Sequence, residues 1–183
     1  TRRGWTTAGA ALSAILSVIL TRHPVSTLTS TPAVPALERS AEEVKTETPI
    51  NIASSSELTE TVISQLVSLE EKIFERPMTA EDLIAECGGK KGLQILIAHH
   101  ADELVGYKLG FEYYSDVFFS MSGGVVPRWR RKGIATALMV RQHDLAKNSG
   151  YSFIRTHTKN KYREMLLLNI RSGFQITGVY KSL

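Results

Sequence analysis

Fourteen residues constrain the fold more than any others: Ser122-Gly123-Gly124-Val125-Val126-Pro127-Arg128-Trp129-Arg130-Arg131-Lys132-Gly133-Ile134-Ala135. Phe118, Phe119, Val125 and Val126 favour a strand. Pro127 cannot donate to a ladder and should end that strand. From Gly133 the pattern turns helical, with Ala135, Leu138, Met139, Gln142, Leu145 and Ala146 on one stripe. A basic turn therefore opens a helix, where free N–H groups and the dipole favour an anion. Gly133 and Ala135 leave room for a phosphate beside the backbone, and Arg130, Arg131 and Lys132 add positive charge. Residues alone make this a candidate pyrophosphate cradle.

The chain has 183 residues, enough for one domain with a core plus a tail. A net charge of +4 suits an anionic ligand or a nucleic acid and does not choose between them. Cys87 is the single cysteine, which excludes an internal disulfide and a cysteine-rich metal site; it reads as a small buried hydrophobe. The histidines show no ligand spacing, so no metal is expected.

Residues 1–48 differ from the rest and read as an N-terminal extension and linker. Arg2-Arg3 precede the apolar run Ala8–Leu20, which is short for a membrane span but suits the apolar part of a targeting segment. A non-functional or partly ordered extension is the other reading. Pro24 to Pro35 is Ser/Thr/Pro-rich linker. The domain is expected over 49–183, in the order β-α-α-β-β-β-α-β-α-β. Ser54–Glu57 is read as a capping box for the first helix, and Thr79–Asp82 as the cap of the second. The stretch from Arg163 to Ser172 is apolar nearly all round and predicts a buried helix.

Beyond the cradle come Thr158-Lys159-Asn160, Met165-Leu166-Leu167-Leu168-Asn169 and Gly173-Phe174. With Arg130-x-x-Gly133-x-Ala135, this resembles the GCN5-related N-acetyltransferase (GNAT) superfamily, most closely its small bacterial members. The resemblance covers about Pro49 to Leu183. It implies an α/β (α+β) fold with a mixed, mostly antiparallel central sheet flanked by helices. It also implies a cytoplasmic enzyme that moves an acetyl group directly from acetyl-CoA to a primary amine of a small molecule or peptide.

By the same resemblance, Arg130, Arg131, Lys132, Gly133, Ile134, Ala135 and Thr136 bind the pyrophosphate. Val125 and Val126 pair with the pantetheine, with an N–H near Val126 turned to the thioester oxygen. Asn160 contacts the cofactor. Glu112 is the expected base, since a lysine-like amine has a pKa of roughly 10.4 and must lose a proton. Asn169 stands where many members carry a tyrosine as thiolate acid; it is read as orienting the cofactor, leaving the acid to Tyr162, Tyr113, Tyr114 or water. The sequence stops after a sixth strand where members add a seventh, so a sheet edge lies open, the sequence is a fragment lacking that strand, or the N-terminal extension covers the gap.

The expected partners are the amine acceptor and, compatibly, a second copy of the chain, with no nucleic acid and no membrane for the catalytic domain. Two alternatives stand beside the enzyme. One is a non-catalytic CoA-binding sensor or scaffold. The other is a nucleic-acid binder using Arg128–Lys132 as a basic aromatic patch.

Overall fold

The computed structural model describes residues 15–22 and 49–182. Two strands, β1 (Ile15–Arg22) and β2 (Ile50–Ser55), are followed by helices α1 (Glu60–Ile73) and α2 (Ala80–Cys87). Strands β3 (Gln94–His100), β4 (Glu103–Tyr114) and β5 (Val117–Val125) lead through a short 3-10 turn at Pro127–Trp129 into α3 (Ile134–Asn148). Then come β6 (Phe153–Lys159), α4 (Arg163–Arg171) and β7 (Gln175–Ser182). Among the described residues these strands form one sheet in the order β2-β3-β4-β5-β6-β1-β7. The β5–β6 pair is parallel; every other pair is antiparallel.

The helices bury both faces of the sheet. Leu66 and Leu69 of α1 and Leu83 and Cys87 of α2 pack on Ile95, Ile97, Tyr107, Leu109, Phe111 and Phe119. On the opposite face, Ile134 and Leu138 of α3 meet Leu96, Ala98, Val105 and Val125. Met139 and Ala146 meet Phe118, Ile154 and Phe174. Burial pushes the Cys87 thiol up to about 11, with Glu86 adding to the effect, so it packs as an inert hydrophobe.

Two local expectations change and one holds. The first helix is capped by Thr59, whose hydroxyl accepts from Val62 N, because Ser55 and Glu57 close a tighter turn of their own. Thr79 and Asp82 do form the reciprocal capping box on α2. Helix α4 is not buried all round: Leu167 and Ile170 are exposed, and Asn169 is its buried residue.

The largest difference lies before residue 49. Part of the expected extension, Ile15–Arg22, is a strand inside the sheet, paired with β6 on one side and β7 on the other. The open edge is thus filled by the N-terminal segment. A run rich in Ile, Leu and Val serves a strand paired on both sides as well as it would a targeting segment. Residues 1–14 and 23–48, with the rest of the targeting and linker expectation, lie outside the described residues.

Candidate active site

Strands β5 and β6 run together and then part. Their parallel pairing covers only Val117–Ser120 against Phe153–Thr156, although β5 continues to Val125 and β6 to Lys159. The cause is visible on the other side of β5. There Leu109 faces Ser122 and Gly110 faces Ser120, so Met121 has no opposite number. A one-residue bulge of this kind bends its strand, and it falls where β5 leaves β6. A V-shaped fork results.

Beyond the bulge, the edge of β5 facing the fork has no partner strand among the described residues. Val126 N is bonded to Val105 O, at 2.9 Å, on the β4 side. Backbone groups alternate in direction along a strand, so Gly123 and Val125 present N–H and C=O to the fork. The Val126 N–H is thus spent within the sheet, and its side chain is buried against α1 and α2. Gly123 is the residue beyond the bulge whose N–H sequence reading did not single out. The signal that finds it is the register of the bulge, which no local motif encodes.

The cradle closes the wide end of the fork. Arg131 and Gly133 both have left-handed backbone, at φ 63° and 80°, which curls successive amides into an anion-binding concavity. Gly133 caps α3 with no side-chain bond, and a Cβ built on it meets nothing within 4 Å. The N–H groups of Ile134, Ala135 and Thr136 follow in the first turn, where no intrahelical acceptor exists. Glu103 fixes the turn from below: it accepts from Arg128 Nε at 3.1 Å and from Trp129 Nε1 at 2.8 Å. These bonds hold its carboxyl below the usual range. Trp129 also packs on His100, with centroids 4.4 Å apart, and Lys132 Nζ lies 4.5 Å from its ring. This indole is therefore braced within the protein, as is the Arg128 guanidinium on Glu103. Arg130 Nε donates to Val125 O at 3.1 Å, joining the cradle to the open edge.

Not every predicted residue reaches the fork. Glu112 stands opposite Phe118, in the paired part of the sheet and on the α3 face. Its carboxylate accepts from Tyr151 Oη at 3.1 Å and pairs with Lys91 Nζ at 3.1 Å. Burial and this carboxylate push Tyr151 up to about 12. Five residues of strand, about 15 Å, separate Phe118 from Gly123; the expected base is held away from the open edge. Asn169 is 1% exposed, and its Nδ2 donates to Thr158 Oγ1 at 3.0 Å. Its side chain pins α4 to β6 and does not face solvent. Asn160 is exposed on the turn before α4. Tyr162, at the start of α4, meets Phe74 edge-on at 6.4 Å, and Lys161 reaches Glu75 at 3.9 Å, so the β6–α4 turn touches the end of α1. Tyr113 and Tyr114 lie at the β4–β5 turn, below the fork.

On the α1/α2 face of the fork stands His157, one residue past the last β5–β6 pair. Its ring meets Phe119 edge-on at 5.1 Å and Tyr180 at 5.5 Å. Burial, then the nearby Arg155 charge, holds its pKa below the ordinary histidine value.

The profile of the acetyltransferase (GNAT) family matches residues 62–165, more than half of the chain. No curated protein sequence matches. The fold is similar to that of a GCN5-related N-acetyltransferase from Sphaerobacter thermophilus: 18% identity, 92% of this chain and 50% of that one, TM-score 0.64. The chain thus spans about half the length of that relative. It is also similar to the aminoglycoside N-acetyltransferase AAC(6')-Iy in complex with CoA: 16% identity, 74% and 94% of the chains, TM-score 0.61. A third likeness is to the ribosomal-protein-S18-alanine N-acetyltransferase from Escherichia coli: 15% identity, 68% and 78%, TM-score 0.60. With a match over most of the domain and the matching fold, this chain belongs to the GNAT acetyltransferase family.

Proposed function

We propose that the chain transfers an acetyl group from acetyl-CoA directly to a primary amine of a small molecule or peptide. The observation that carries this reading is the fork: β5 leaves β6 at Met121, and the uncapped start of α3 stands at its open end. The site fits the group. The left-handed turn at Arg131 and Gly133 and the free amides of Ile134, Ala135 and Thr136 suit a diphosphate. Arg130, Arg131 and Lys132 flank them, and Asn160 stands on the opposite bank.

Acetyl-CoA supplies a thioester whose thiolate leaves readily, since a thiol pKa is roughly 8.5. The chain's own residues do the rest. Gly123 and Val125 offer fixed backbone groups along the open edge, and the Gly123 N–H suits the negative charge developing on a carbonyl oxygen. The cradle lies on the α3 face, so a chain threaded through the fork delivers its reactive end to the α1/α2 face. His157 stands on that face as a neutral imidazole able to take the amine proton. In this reading residues 49–183 carry the chemistry, and the earlier segment contributes β1.

The test is calorimetry with CoA, followed by acetyl-CoA consumption across polyamines, amino acids, aminoglycosides and peptides. Micromolar CoA binding with amine-dependent thiol release supports the reading. A folded protein that does not bind CoA ends it, and CoA binding without turnover on any amine leaves the non-catalytic sensor.

A further inference from the structure

Two residues before His157 on the same face of β6 is Arg155. Its Nε is buried and has no hydrogen-bond partner among the described residues. No carboxylate lies within ion-pairing range of it among the described residues. Glu112 is paired with Lys91 on the other face, Glu75 with Lys161, and Glu70 with Tyr107. The guanidinium instead lies 5.7 Å from the Tyr113 ring, which packs on Phe119 at 5.7 Å, and Phe119 packs on His157. The residues Arg155, His157, Tyr113 and Phe119 thus make one wall. His157 is neutral near pH 7, so Arg155 carries the positive charge of that wall.

A guanidinium held against aromatic rings with a buried, unsatisfied N–H is costly unless an acceptor reaches it. A carboxylate is the group whose geometry its fork matches. Resting on the acetyl-transfer reading above, we propose that Arg155 binds an anionic group of the acceptor, so that the preferred substrate is an amine carrying a carboxylate. Two residues of strand separate Arg155 from His157, about 7 Å. An amine at the fork and a carboxylate at Arg155 therefore fit a short amino acid with a few carbons between its two ends. The rings of Tyr113 and Phe119 cover the carbons between.

The test compares β-alanine and γ-aminobutyrate with their carboxamides as acceptors for the full chain, with CoA affinity measured alongside. The expected result is kcat/KM at least 10-fold higher for the carboxylates. Arg155→Met should bring the two series to within about 2-fold while CoA affinity stays unchanged. Arg155→Lys, which keeps the charge without the fork, should fall between and serves if the Met variant does not fold. Equal use of carboxylates and carboxamides by the wild type overturns the proposal. So does CoA binding with no turnover of either series, or a loss in the variants that is the same for both. Absence of CoA binding to the wild type is a different failure, that of the acetyl-transfer reading itself.

Discussion

Tyr107 of β4 donates its hydroxyl to the Glu70 carboxylate of α1, and both side chains are buried, at 1% and 2% exposure. The other Glu70 oxygen accepts from Met78 N at 3.0 Å, and the Tyr107 oxygen also meets Ser122 Oγ at 2.8 Å. Burial and the carboxylate push the Tyr107 phenol well above its usual range, so it stays a donor. The network ties α1 to the residue that follows the β5 bulge.

Tyr107→Phe keeps the shape but leaves a Glu70 oxygen without its donor in the core. The expected cost is about 1–3 kcal/mol, read as a lower urea midpoint at constant slope. Glu70→Gln keeps an acceptor and should cost less. A Phe variant within about 0.5 kcal/mol of wild type would show that the carboxylate finds another partner.

Gly133→Glu should weaken CoA binding at least 100-fold by calorimetry, because its carboxylate enters the space a phosphate needs. Nothing lies within 4 Å of that Cβ position, so the fold has room for the side chain. The left-handed φ of 80° still strains any side chain. Gly133→Ala should therefore lower stability by roughly 1–2 kcal/mol, with a much smaller loss of CoA affinity. Equal losses from Ala and Glu would mean that strain, not charge, controls the site.

The cradle was legible because everything that makes it is local: a proline that stops a strand, a glycine, and a helical stripe that begins at once. The chemistry around it was not. The bulge at Met121 is a register between two strands, and Ser-Met-Ser-Gly-Gly carries no local sign of which residue is extra. Glu112 reads as a base from its place on a strand, and its partners Lys91 and Tyr151, which reach it from distant segments, have no local sign in the sequence. Asn169 read as a motif position, while its partner Thr158 is set by how α4 lies on β6. The exposed Leu167 and Ile170 misled for the opposite reason, since an apolar pattern says what can be buried and not what covers it.

Glu112 and His157 make opposite predictions. Glu112→Gln loses an ion pair and weakens the Tyr151 bond, yet should leave amine-dependent kcat within about 3-fold. His157→Asn should lower kcat by about 100-fold with CoA affinity retained, the usual size for removal of a general base. Burial and Arg155 hold His157 below the ordinary value, so the wild-type rate should be level above about pH 6.5 and fall at lower pH as the imidazole is protonated. The Asn variant should lose that acid limb. A large loss in Glu112→Gln with none in His157→Asn would return the base to Glu112.

Strand β1 has a neighbour on each side, and among the described residues β7 pairs with β1 alone. Ile19→Pro removes one N–H from a strand paired with both His157 and Gly178. Proline is tolerated at sheet edges and not in central strands, so the lost ladder bond and its unsatisfied acceptor should cost about 1–3 kcal/mol. Hydrogen exchange is the measurement: protection across Gln175–Ser182 should be lost first, then along the outer side of β6. Unchanged protection there would mean that β1 does not hold β7 in the sheet.

Lys108 of β4 is 7% exposed and faces α3 opposite Gly123, whose added Cβ would lie 3.2 Å from the lysine Cγ. No ion pair to it exists among the described residues. Burial alone lowers its pKa from the ordinary 10.5 to about 8. Below pH 8 the group is protonated in both folded and unfolded chains, and the folded state bears the full cost of an unpaired buried charge. Between pH 8 and about 10.5 the folded chain loses its proton while the unfolded chain keeps it, so wild-type stability should rise with pH. Lys108→Met removes the charge and keeps a flexible apolar chain of similar length. It should be about 2–3 kcal/mol more stable than wild type at pH 7, and the difference should shrink towards pH 10.5. Urea titrations of both proteins across that range decide it. A stability gap independent of pH would mean that Lys108 is neutral throughout or finds a counter-charge in solution.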